Sequence, residues 1–195
     1  MSAARVPRRG PGALPMAGAG GRASGHGAPA GMPAADTIAA PMLLRRARPT
    51  DVPAIAALVA EYARWGLLLP RSAEAIARDI DTFTVAVDAQ GIVGCGALRC
   101  YTPTLAELCS LAVAELCHGQ GVGGRIVESI VEAAEQAGIR QLFALTLRER
   151  FFNRLGFRTG LIADVPEKVW ADCAGCALRA ACREIMVVRD LASAR

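Results

Sequence analysis

The clearest pattern of apolar and polar positions follows a glycine-rich turn in the second half of the chain. After this turn, apolar residues recur at steps of three and four, as one face of a helix requires. These positions are Val122, Ile126, Val127, Ile130, Val131 and Ala134. Gly138 suits the left-handed conformation that ends many helices. The pattern therefore predicts a long helix that begins at the glycines and ends at Gly138.

Shorter patterns before this helix predict four strands and two more helices. The strand-like runs are residues 43–48, 83–87, 92–98 and 105–114. Residues 88–91 have the composition of a hairpin turn, so the last three runs form an antiparallel meander. Thr50 or Asp51 is expected to cap the first helix, and Ser72 is spaced from the Ala75 amide to cap the second.

The pattern continues as strand, helix and strand after Gly138. Residues 142–147 form a buried apolar run, residues 150–155 a short helix, and Gly156-Phe157 a turn into another strand. Residues 184–191 supply a final strand. Together these elements predict an α+β domain over residues 42–195 with a mixed, mostly antiparallel sheet flanked by helices.

Composition separates the first 41 residues from the rest of the chain. The whole sequence has 195 residues, of which 53% are hydrophobic and 21% charged, a balance typical of one globular domain. Residues 1–41 are rich in Gly, Ala and Pro without periodicity, which predicts a disordered, low-complexity segment. The net charge of +4 does not indicate nucleic-acid binding. Because neither a signal peptide nor a membrane span is evident, we expect a cytoplasmic protein; a homodimer is left open.

Seven cysteines, an odd number, argue against a disulfide framework in such a protein. Three of them, Cys173, Cys176 and Cys182, lie close together in a segment spanning residues 166–184. A structural zinc site needs four ligands, and the fourth is not obvious here. We therefore expect no metal, with zinc or an iron–sulfur cluster at these thiols as the alternative.

The glycine-rich turn is the strongest candidate for a binding site. The first turn of a helix has backbone N–H groups without internal partners, and glycines let a phosphate approach them. A Walker A loop is excluded because Arg125-Ile126 follows Gly124 where Lys-Ser or Lys-Thr is required. A dinucleotide fold would place the turn after an early strand, whereas this one lies past the middle of the chain.

The order of elements over residues 43–191 resembles the GNAT family of acetyl-CoA-dependent N-acetyltransferases. The family's acyl-CoA signature falls on His118-Gly119-Gln120-Gly121-Val122-Gly123, where His118 replaces the usual Arg or Gln. A second motif, Phe151-Phe-Asn-Arg-Leu-Gly-Phe157, follows in the expected order. The resemblance implies acetyl-CoA as co-substrate. The residues implied to bind it are Leu111, Ala112, Val113, Gly119, Gln120, Gly121, Val122, Gly123 and Gly124.

Within this family the sequence is most similar to short-form N-acetylglutamate synthases. The similarity rests on residues 66–72, 93–98, 107–113, 143–146 and 166–173, together with the motif ending at Phe157. It implies transfer of an acetyl group to the α-amino group of L-glutamate, the first step of arginine synthesis. Cys109 is a departure, because that group more often has Arg in this strand.

An amine attacks a thioester only when neutral, so the reaction needs a base or a water chain. Glu107 is the candidate, acting through one water, with an ordinary strand-end carboxylate as the alternative. Many members of the family use a Tyr to protonate the leaving thiolate, but Phe152 stands at the matching position. Thiolate departure would then rely on positioning and on water.

Glutamate carries two carboxylates, so its site needs two cationic anchors, and Arg offers bidentate geometry to each. The resemblance places Arg71 in the substrate loop and Arg148 at the end of the strand that faces the thioester. Ser72 could add a hydroxyl, and Lys168 is a further cation near the end of the chain. Either Arg could instead be an ordinary solvated side chain.

Three functional hypotheses follow from these residues. The first is acetyl transfer to L-glutamate, and the second keeps the fold but changes the acceptor to another amino acid, an amine or a protein terminus. The third is a non-catalytic module that binds acyl-CoA or a metal, suggested by Phe152, His118 and the thiol cluster.

Overall fold

The computed structural model describes residues 42–176 and 179–192. The strands are β1 (Leu43–Arg46), β2 (Phe83–Asp88), β3 (Gly91–Cys100), β4 (Leu105–Val113), β5 (Gln141–Thr146), β6 (Arg158–Thr159) and β7 (Ile185–Asp190). The helices are α1 (Val52–Arg64), α2 (Ala73–Arg78), α3 (Val122–Gln136), α4 (Glu149–Asn153) and α5 (Pro166–Ala171). Residues 1–41, for which disorder is predicted, lie outside the described residues.

All seven strands belong to one sheet, in the order β1-β2-β3-β4-β5-β7-β6. Neighbouring strands are antiparallel except β4 and β5, which are parallel. This confirms the predicted mixed, mostly antiparallel sheet with flanking helices. The meander of β2, β3 and β4 also has the predicted order.

Local sequence signals account for several of the element boundaries. The Ser72 hydroxyl accepts a hydrogen bond from the Ala75 amide at 3.2 Å, as predicted for the start of α2. Gly138 follows α3 with φ of +79°, as its cap role requires. Asp51 occupies the N-cap position of α1, as predicted, but its side chain makes no capping hydrogen bond to that helix. The Asp51 carboxylate instead accepts from the Arg48 amide at 2.7 Å and caps a preceding 3-10 turn.

Helix α3 packs closely on one face of the sheet because β3 offers no side chains at two positions beneath it. A Cβ added to Gly94 would lie 2.8 Å from Ile126 Cδ1, and one added to Gly96 would lie 2.9 Å from Ile130 Cδ1. Ile126 and Ile130 are buried there, as the helical pattern predicts. This close packing fixes the beginning of α3 beside the end of β4.

Helices α1 and α2 cover the opposite face of the sheet. Ile55, Val59 and Ile76 are fully buried against Val85 and other β2 and β3 side chains. A smaller third cluster lies under the segment between β6 and β7, where Val165 packs on β5 and β7. None of the helices in the described ranges combines the length and apolarity that crossing a membrane needs.

Candidate active site

The two parallel strands at the centre of the sheet separate soon after they pair. Residues 105–107 of β4 pair with residues 141–143 of β5, and β4 then continues to Val113 without that partner. Backbone N–H and C=O groups on this edge therefore face a cleft. Such an edge can bind an extended chain that contains amide groups.

A β-bulge marks the place where β4 leaves its partner. Ala97 pairs with Cys109 and Cys95 with Ala112, so Ser110 and Leu111 together face Gly96. Ser110 has φ of +53°, the one positive value at a non-glycine residue in the described part of the chain. Bulges bend a strand and redirect its groups, and they are frequent beside active sites.

The cleft contains a cavity of about 660 Å³. Four parts of the fold enclose it: the end of α1 and the loop after it, β4, the glycine turn with the first turn of α3, and the end of β5 with α4. The residues that line the cavity include Tyr62, Trp65, Leu67, Leu68, Cys109, Ser110, Leu111, Val113, His118, Gly119, Gly121, Leu147, Arg148, Phe151, Phe152 and Arg154. The cavity therefore joins the bulge to the start of α3.

Most of the residues expected to bind acetyl-CoA line this cavity. Leu111, Val113, Gly119, Gly121, Val122, Gly123 and Gly124 do so. Ala112 is fully buried in the core cluster beneath α1, so only its backbone is available to the cleft. The Gln120 side chain instead donates to the Leu116 carbonyl at 2.8 Å. The roles of these residues stay predictions.

The glycines of the turn adopt the conformations that a side-chain-free cradle needs. Gly119 and Gly121 have φ of +75° and +78°, and a Cβ at either would meet no atom within 4 Å. They are thus required for backbone shape rather than for packing. Gly121 precedes α3, whose first N–H groups have no partner within the helix. The turn can receive a phosphate on backbone donors alone.

Tyr62 and His118 form a hydrogen-bonded group on the free edge of β4, which the sequence did not reveal. The Tyr62 hydroxyl donates to the Val113 carbonyl at 2.7 Å and accepts from the Val113 amide at 3.3 Å. His118 Nε2 lies 2.8 Å from the Tyr62 hydroxyl and 2.9 Å from the same carbonyl. Burial raises the pKa of Tyr62, so the hydroxyl remains protonated at neutral pH.

Arg148 and Phe152 occupy the side of the cavity formed after β5. Arg148 lies between β5 and α4 with its side chain exposed, and its backbone amide donates to the Thr146 hydroxyl at 2.9 Å. Phe152 is buried and packs edge-on against Phe151 and Phe157, at ring-centroid distances of 5.1 and 5.3 Å. Phe152, which stands where the family resemblance implies a Tyr, is therefore part of an apolar wall.

Arg71 reaches the site from outside the cavity lining. One guanidinium nitrogen lies 3.4 Å from the Ser110 hydroxyl at the bulge, and another pairs with Asp79. The guanidinium also lies 5.4 Å from the centre of the Phe83 ring. Ser72 points into α2 as its cap. Arg71 thus lies beside the bulge, whereas the Ser72 hydroxyl is used by the helix.

Glu107 is the last residue of β4 that pairs with β5, and it lies within a largely buried group of charges. Its Oε2 accepts from Lys168 Nζ at 2.9 Å and from the Tyr101 hydroxyl at 2.8 Å. Lys168 also donates to Asp172 at 3.1 Å, and the Tyr101 hydroxyl lies within hydrogen-bond distance of the Asp172 carboxylate as well, so its single proton is shared between Glu107 and Asp172. Glu107 and Lys168 are only 4% and 9% exposed. Neither residue lines the cavity, so their predicted roles depend on access from the acceptor side.

The contacts among the side chains around Glu107 determine which of them carry a proton. Burial disfavours the Lys168 ammonium, but the charges and hydrogen bonds of Glu107 and Asp172 outweigh it and raise the pKa of Lys168. Burial also opposes ionisation of Asp172, yet hydrogen bonds from Tyr101 and Lys168 leave its pKa lowered. Burial first, and then the Glu107 charge, raise the pKa of Tyr101 far above its usual range. Lys168 and Tyr101 both remain hydrogen-bond donors.

The three clustered cysteines are free thiols in the structure. Cys173 and Cys176 are half-buried and Cys182 is exposed, at 3.8 Å from a Glu184 carboxylate oxygen. Among the residues whose positions are described, no three His, Cys, Asp or Glu side chains converge as ligands for a metal ion. The zinc and iron–sulfur alternatives therefore gain no support from this geometry.

Comparison with known proteins identifies the family. Residues 79–159 match the family model described as an acetyltransferase (GNAT) domain. An uncharacterized N-acetyltransferase of Chlorobaculum tepidum is 39% identical over 82% of this chain and its own full length. The chain belongs to the GNAT family of N-acetyltransferases. It is therefore an enzyme of the acetyl-CoA-dependent class rather than a non-catalytic module.

Relatives with more specific names are similar over a smaller region. An amino-acid acetyltransferase of Mycobacterium tuberculosis is 37% identical over 59% of this chain and 67% of its own length. The corresponding protein of Pasteurella multocida is 35% identical over 64% of this chain. That match covers only 29% of the Pasteurella protein, so this GNAT chain spans less than a third of that relative.

Solved structures agree with this assignment. N-acetylglutamate synthase of Neisseria gonorrhoeae, complexed with coenzyme A and N-acetyl-glutamate, superimposes with a TM-score of 0.72 at 30% identity. The match covers 78% of this chain and 36% of that one. A Mycobacterium tuberculosis protein in complex with coenzyme A gives 0.66 at 28% identity, over 77% of this chain and 99% of that one.

Proposed function

We propose that this GNAT enzyme transfers an acetyl group from acetyl-CoA to the α-amino group of L-glutamate, the entry reaction of arginine synthesis. The observation that carries the proposal is the cavity that joins the β4 bulge, the glycine turn and Arg148 in one cleft. Similarity to the named amino-acid acetyltransferases and to N-acetylglutamate synthase supports the choice of acceptor.

The co-substrate is expected to lie along the free edge of β4. Its pyrophosphate would be held by backbone N–H groups at Gly119 to Gly124, and its thioester would lie near the bulge. Backbone N–H groups of Leu111 to Val113 would then face the oxyanion that forms when the amine attacks. This arrangement requires backbone shape more than particular side chains, so His118 in the signature does not prevent it.

Proton transfer is assigned to Glu107. The substrate ammonium gives up one proton through a water to the Glu107 carboxylate, and the neutral amine attacks the thioester carbonyl. When the C–S bond breaks, the thiolate leaves, and the second proton of the attacking nitrogen passes through water to the sulfur, because Phe152 has no proton to give. Catalysis then depends mainly on positioning of the amine beside the thioester.

Cys109 bears on whether the acetyl group passes through the enzyme itself. Its side chain lines the cavity in the strand that would bind the thioester. Burial, and then the negative charge of Glu107, raise the pKa of the Cys109 thiol to about 11. A thiol with this pKa has very little thiolate at neutral pH and is a poor nucleophile. Direct attack by the acceptor amine is therefore favoured.

A second candidate acceptor is an amino acid with an apolar side chain. The acceptor end of the cavity includes Trp65, Leu67 and Leu68, and Arg71 and Lys168 are each in an ion pair. Arg148 could bind one carboxylate there, but a second carboxylate would have to compete for Arg71. An acceptor with a single carboxylate would avoid that competition.

Acetyl-CoA-dependent thiol release separates these candidates. The enzyme is assayed with L-glutamate, L-glutamine, L-leucine, L-methionine and a simple amine, and kcat/KM is compared. A clear preference for L-glutamate supports the proposal, whereas a preference for leucine or methionine replaces it with the second candidate. Turnover of the simple amine at the same rate as glutamate would contradict recognition of a carboxylate.

A further inference from the structure

Lys168 is the single lysine among the 22 Lys and Arg residues of the chain. It lies on α5, in the segment between β6 and β7, and it is only 9% exposed. A chain that uses arginine at every other cationic position has a lysine where the charge is buried against Glu107. The geometry at Lys168 suggests why the two side chains are not interchangeable there.

The donors that reach Glu107 converge on one of its two oxygens. Lys168 Nζ and the Tyr101 hydroxyl both contact Oε2, at 2.9 and 2.8 Å. No donor from the described ranges, 42–176 and 179–192, contacts Oε1. The carboxylate is therefore held in place by one oxygen while the other can accept a proton.

An arginine at position 168 would act differently. Its planar guanidinium presents two parallel N–H groups that match both oxygens of one carboxylate. A lysine ammonium is a compact point donor, so Lys168 can contact a single oxygen of Glu107 and a single oxygen of Asp172. The ammonium thus holds the carboxylate without engaging its second oxygen.

The surrounding charges keep this arrangement balanced. Asp172 pairs through its other oxygen with Arg99 at 2.9 Å, so two carboxylates face two cations. Arg99 and Lys168 also lie over the Tyr101 ring, at 5.1 and 6.0 Å from its centre. Buried charges are tolerated when each is paired and hydrogen-bonded. The group is therefore a fixed frame around Glu107.

We propose that Lys168 and Tyr101 are positioning residues, which hold Glu107 by Oε2 and leave Oε1 as the proton-accepting atom. The inference rests on the proposed role of Glu107 as the base. It gives α5 a function, because this helix brings Lys168 and Asp172 to the end of β4. It also assigns the single lysine to orientation of the base rather than to binding of a substrate carboxylate.

The main test is Lys168→Arg, which keeps the positive charge. We expect kcat to fall at least tenfold, with the Kd for acetyl-CoA within twofold of wild type. Tyr101→Phe removes the other donor to Oε2 and should lower kcat with the same unchanged Kd. Glu128→Gln is the matched control, since it breaks a different ion pair, with Arg189 at 3.0 Å, and should leave kcat unchanged.

A pH profile distinguishes positioning from a structural role. Lys168→Met removes a cation beside the carboxylate, so the acidic limb of kcat/KM should move to higher pH. The elements packed around Glu107 present these charged and titratable groups to it: Tyr101, Lys168, Asp172, Arg99, Cys109 and Glu184. Lys168 is the closest cation among them. If Lys168→Met unfolds, Lys168→Arg and Tyr101→Phe, with melting temperatures checked, decide the question.

The outcomes separate this inference from the function on which it rests. Wild-type kcat and pH profile in Lys168→Arg, with an inactive Glu107→Gln, would overturn the positioning role and leave the proposed base intact. Full activity of Glu107→Gln would overturn the base and the positioning role together. A loss of kcat in Lys168→Arg and Tyr101→Phe, with acetyl-CoA binding preserved, supports the inference.

Discussion

One half of the cleft is formed mainly by backbone groups and the other mainly by side chains. The cofactor half consists of a free strand edge, a glycine turn and the first turn of α3, so backbone N–H and C=O groups dominate it. The acceptor half consists of side chains from distant segments, among them Arg71, Arg148 and the buried Glu107–Lys168 pair. In the function proposed above, the first half would bind acetyl-CoA through the shape of its backbone, and the second would bind the acceptor through charge.

This difference determines how each half responds to substitution. A site made of backbone groups should tolerate changes of side chain, such as His118 in the signature, but it should be sensitive to backbone conformation. A charged site is sensitive to the removal of one partner, because the other is left buried and uncompensated. The substitutions below use this contrast, and each should affect one half while leaving the other unchanged.

Glu107→Gln should have the largest effect. The amide keeps the size of the side chain and an oxygen for Lys168 and Tyr101, but it cannot accept the substrate proton. General-base catalysis is worth about 10²- to 10⁴-fold, so kcat should fall in that range. Acetyl-CoA affinity, measured by calorimetry, should not change, because the cofactor half is untouched. A fall of less than threefold would mean that a water chain without Glu107 takes the proton.

Arg148→Ala should have the second-largest effect, and it should change only the KM for the acceptor. Hydrogen bonds to charged groups are worth about 1.5–3 kcal/mol, which corresponds to about a 10- to 100-fold rise in KM for the acceptor. The KM for acetyl-CoA should stay the same. Arg150→Ala, at an exposed position on α4 two residues further along the chain, is the control. Equal increases in the KM values for the acceptor and for acetyl-CoA would contradict a role for Arg148 in binding the acceptor.

Arg71→Ala tests whether the second anchor exists. Arg71 already pairs with Asp79, so a substrate carboxylate would gain less from it than from Arg148. We expect about a three- to tenfold rise in KM for glutamate and a smaller change for leucine. An identical change for both acceptors would favour a structural role for Arg71 at the bulge.

Gly121→Ala should affect the cofactor half instead. Gly121 has φ of +78°, and a residue with a Cβ adopts such a conformation at a cost of about 1–2 kcal/mol. The KM for acetyl-CoA should rise about tenfold, while acceptor preference stays the same. Gly91→Ala is the control, because Gly91 has φ of +125° in the hairpin between β2 and β3. It should lower the melting temperature without changing either KM.

The contrast between the halves also explains which features could be predicted from the sequence. The glycine turn, the Ser72 cap and the end of α3 at Gly138 depend on residues a few positions apart. Local spacing therefore carries their signal. The GNAT family and its cofactor followed from such local motifs, and both predictions are confirmed.

The side-chain contacts of the cleft depend instead on residues far apart in the chain. Tyr62 meets Val113 across 51 positions, and Lys168 meets Glu107 across 61. In the sequence, Val52, Ile55, Val59 and Tyr62 recur at the spacing of one helix face, which places Tyr62 on the core side of α1 but does not identify its partner. For Asp172 a local signal existed, since it follows Lys168 by four residues and shares a helix face with it. No local sequence signal existed for Tyr101, because its contacts arise only when the loop before β4 meets α5.

Tyr62→Phe is the substitution with the smallest expected effect, and it tests the contrast within the cofactor half. The Tyr62 hydroxyl contacts both the amide and the carbonyl of Val113, which are the backbone groups that an extended cofactor arm would use. Removing it should lower the Kd for acetyl-CoA about threefold, since a hydrogen bond contributes about 0.5–1.5 kcal/mol net. Because burial raises the pKa of Tyr62, the hydroxyl is protonated below its ordinary value near 10, and the effect should be constant between about pH 6 and 9. A higher Kd would show that the hydroxyl contacts the cofactor, and the cofactor half would then depend on a side chain after all.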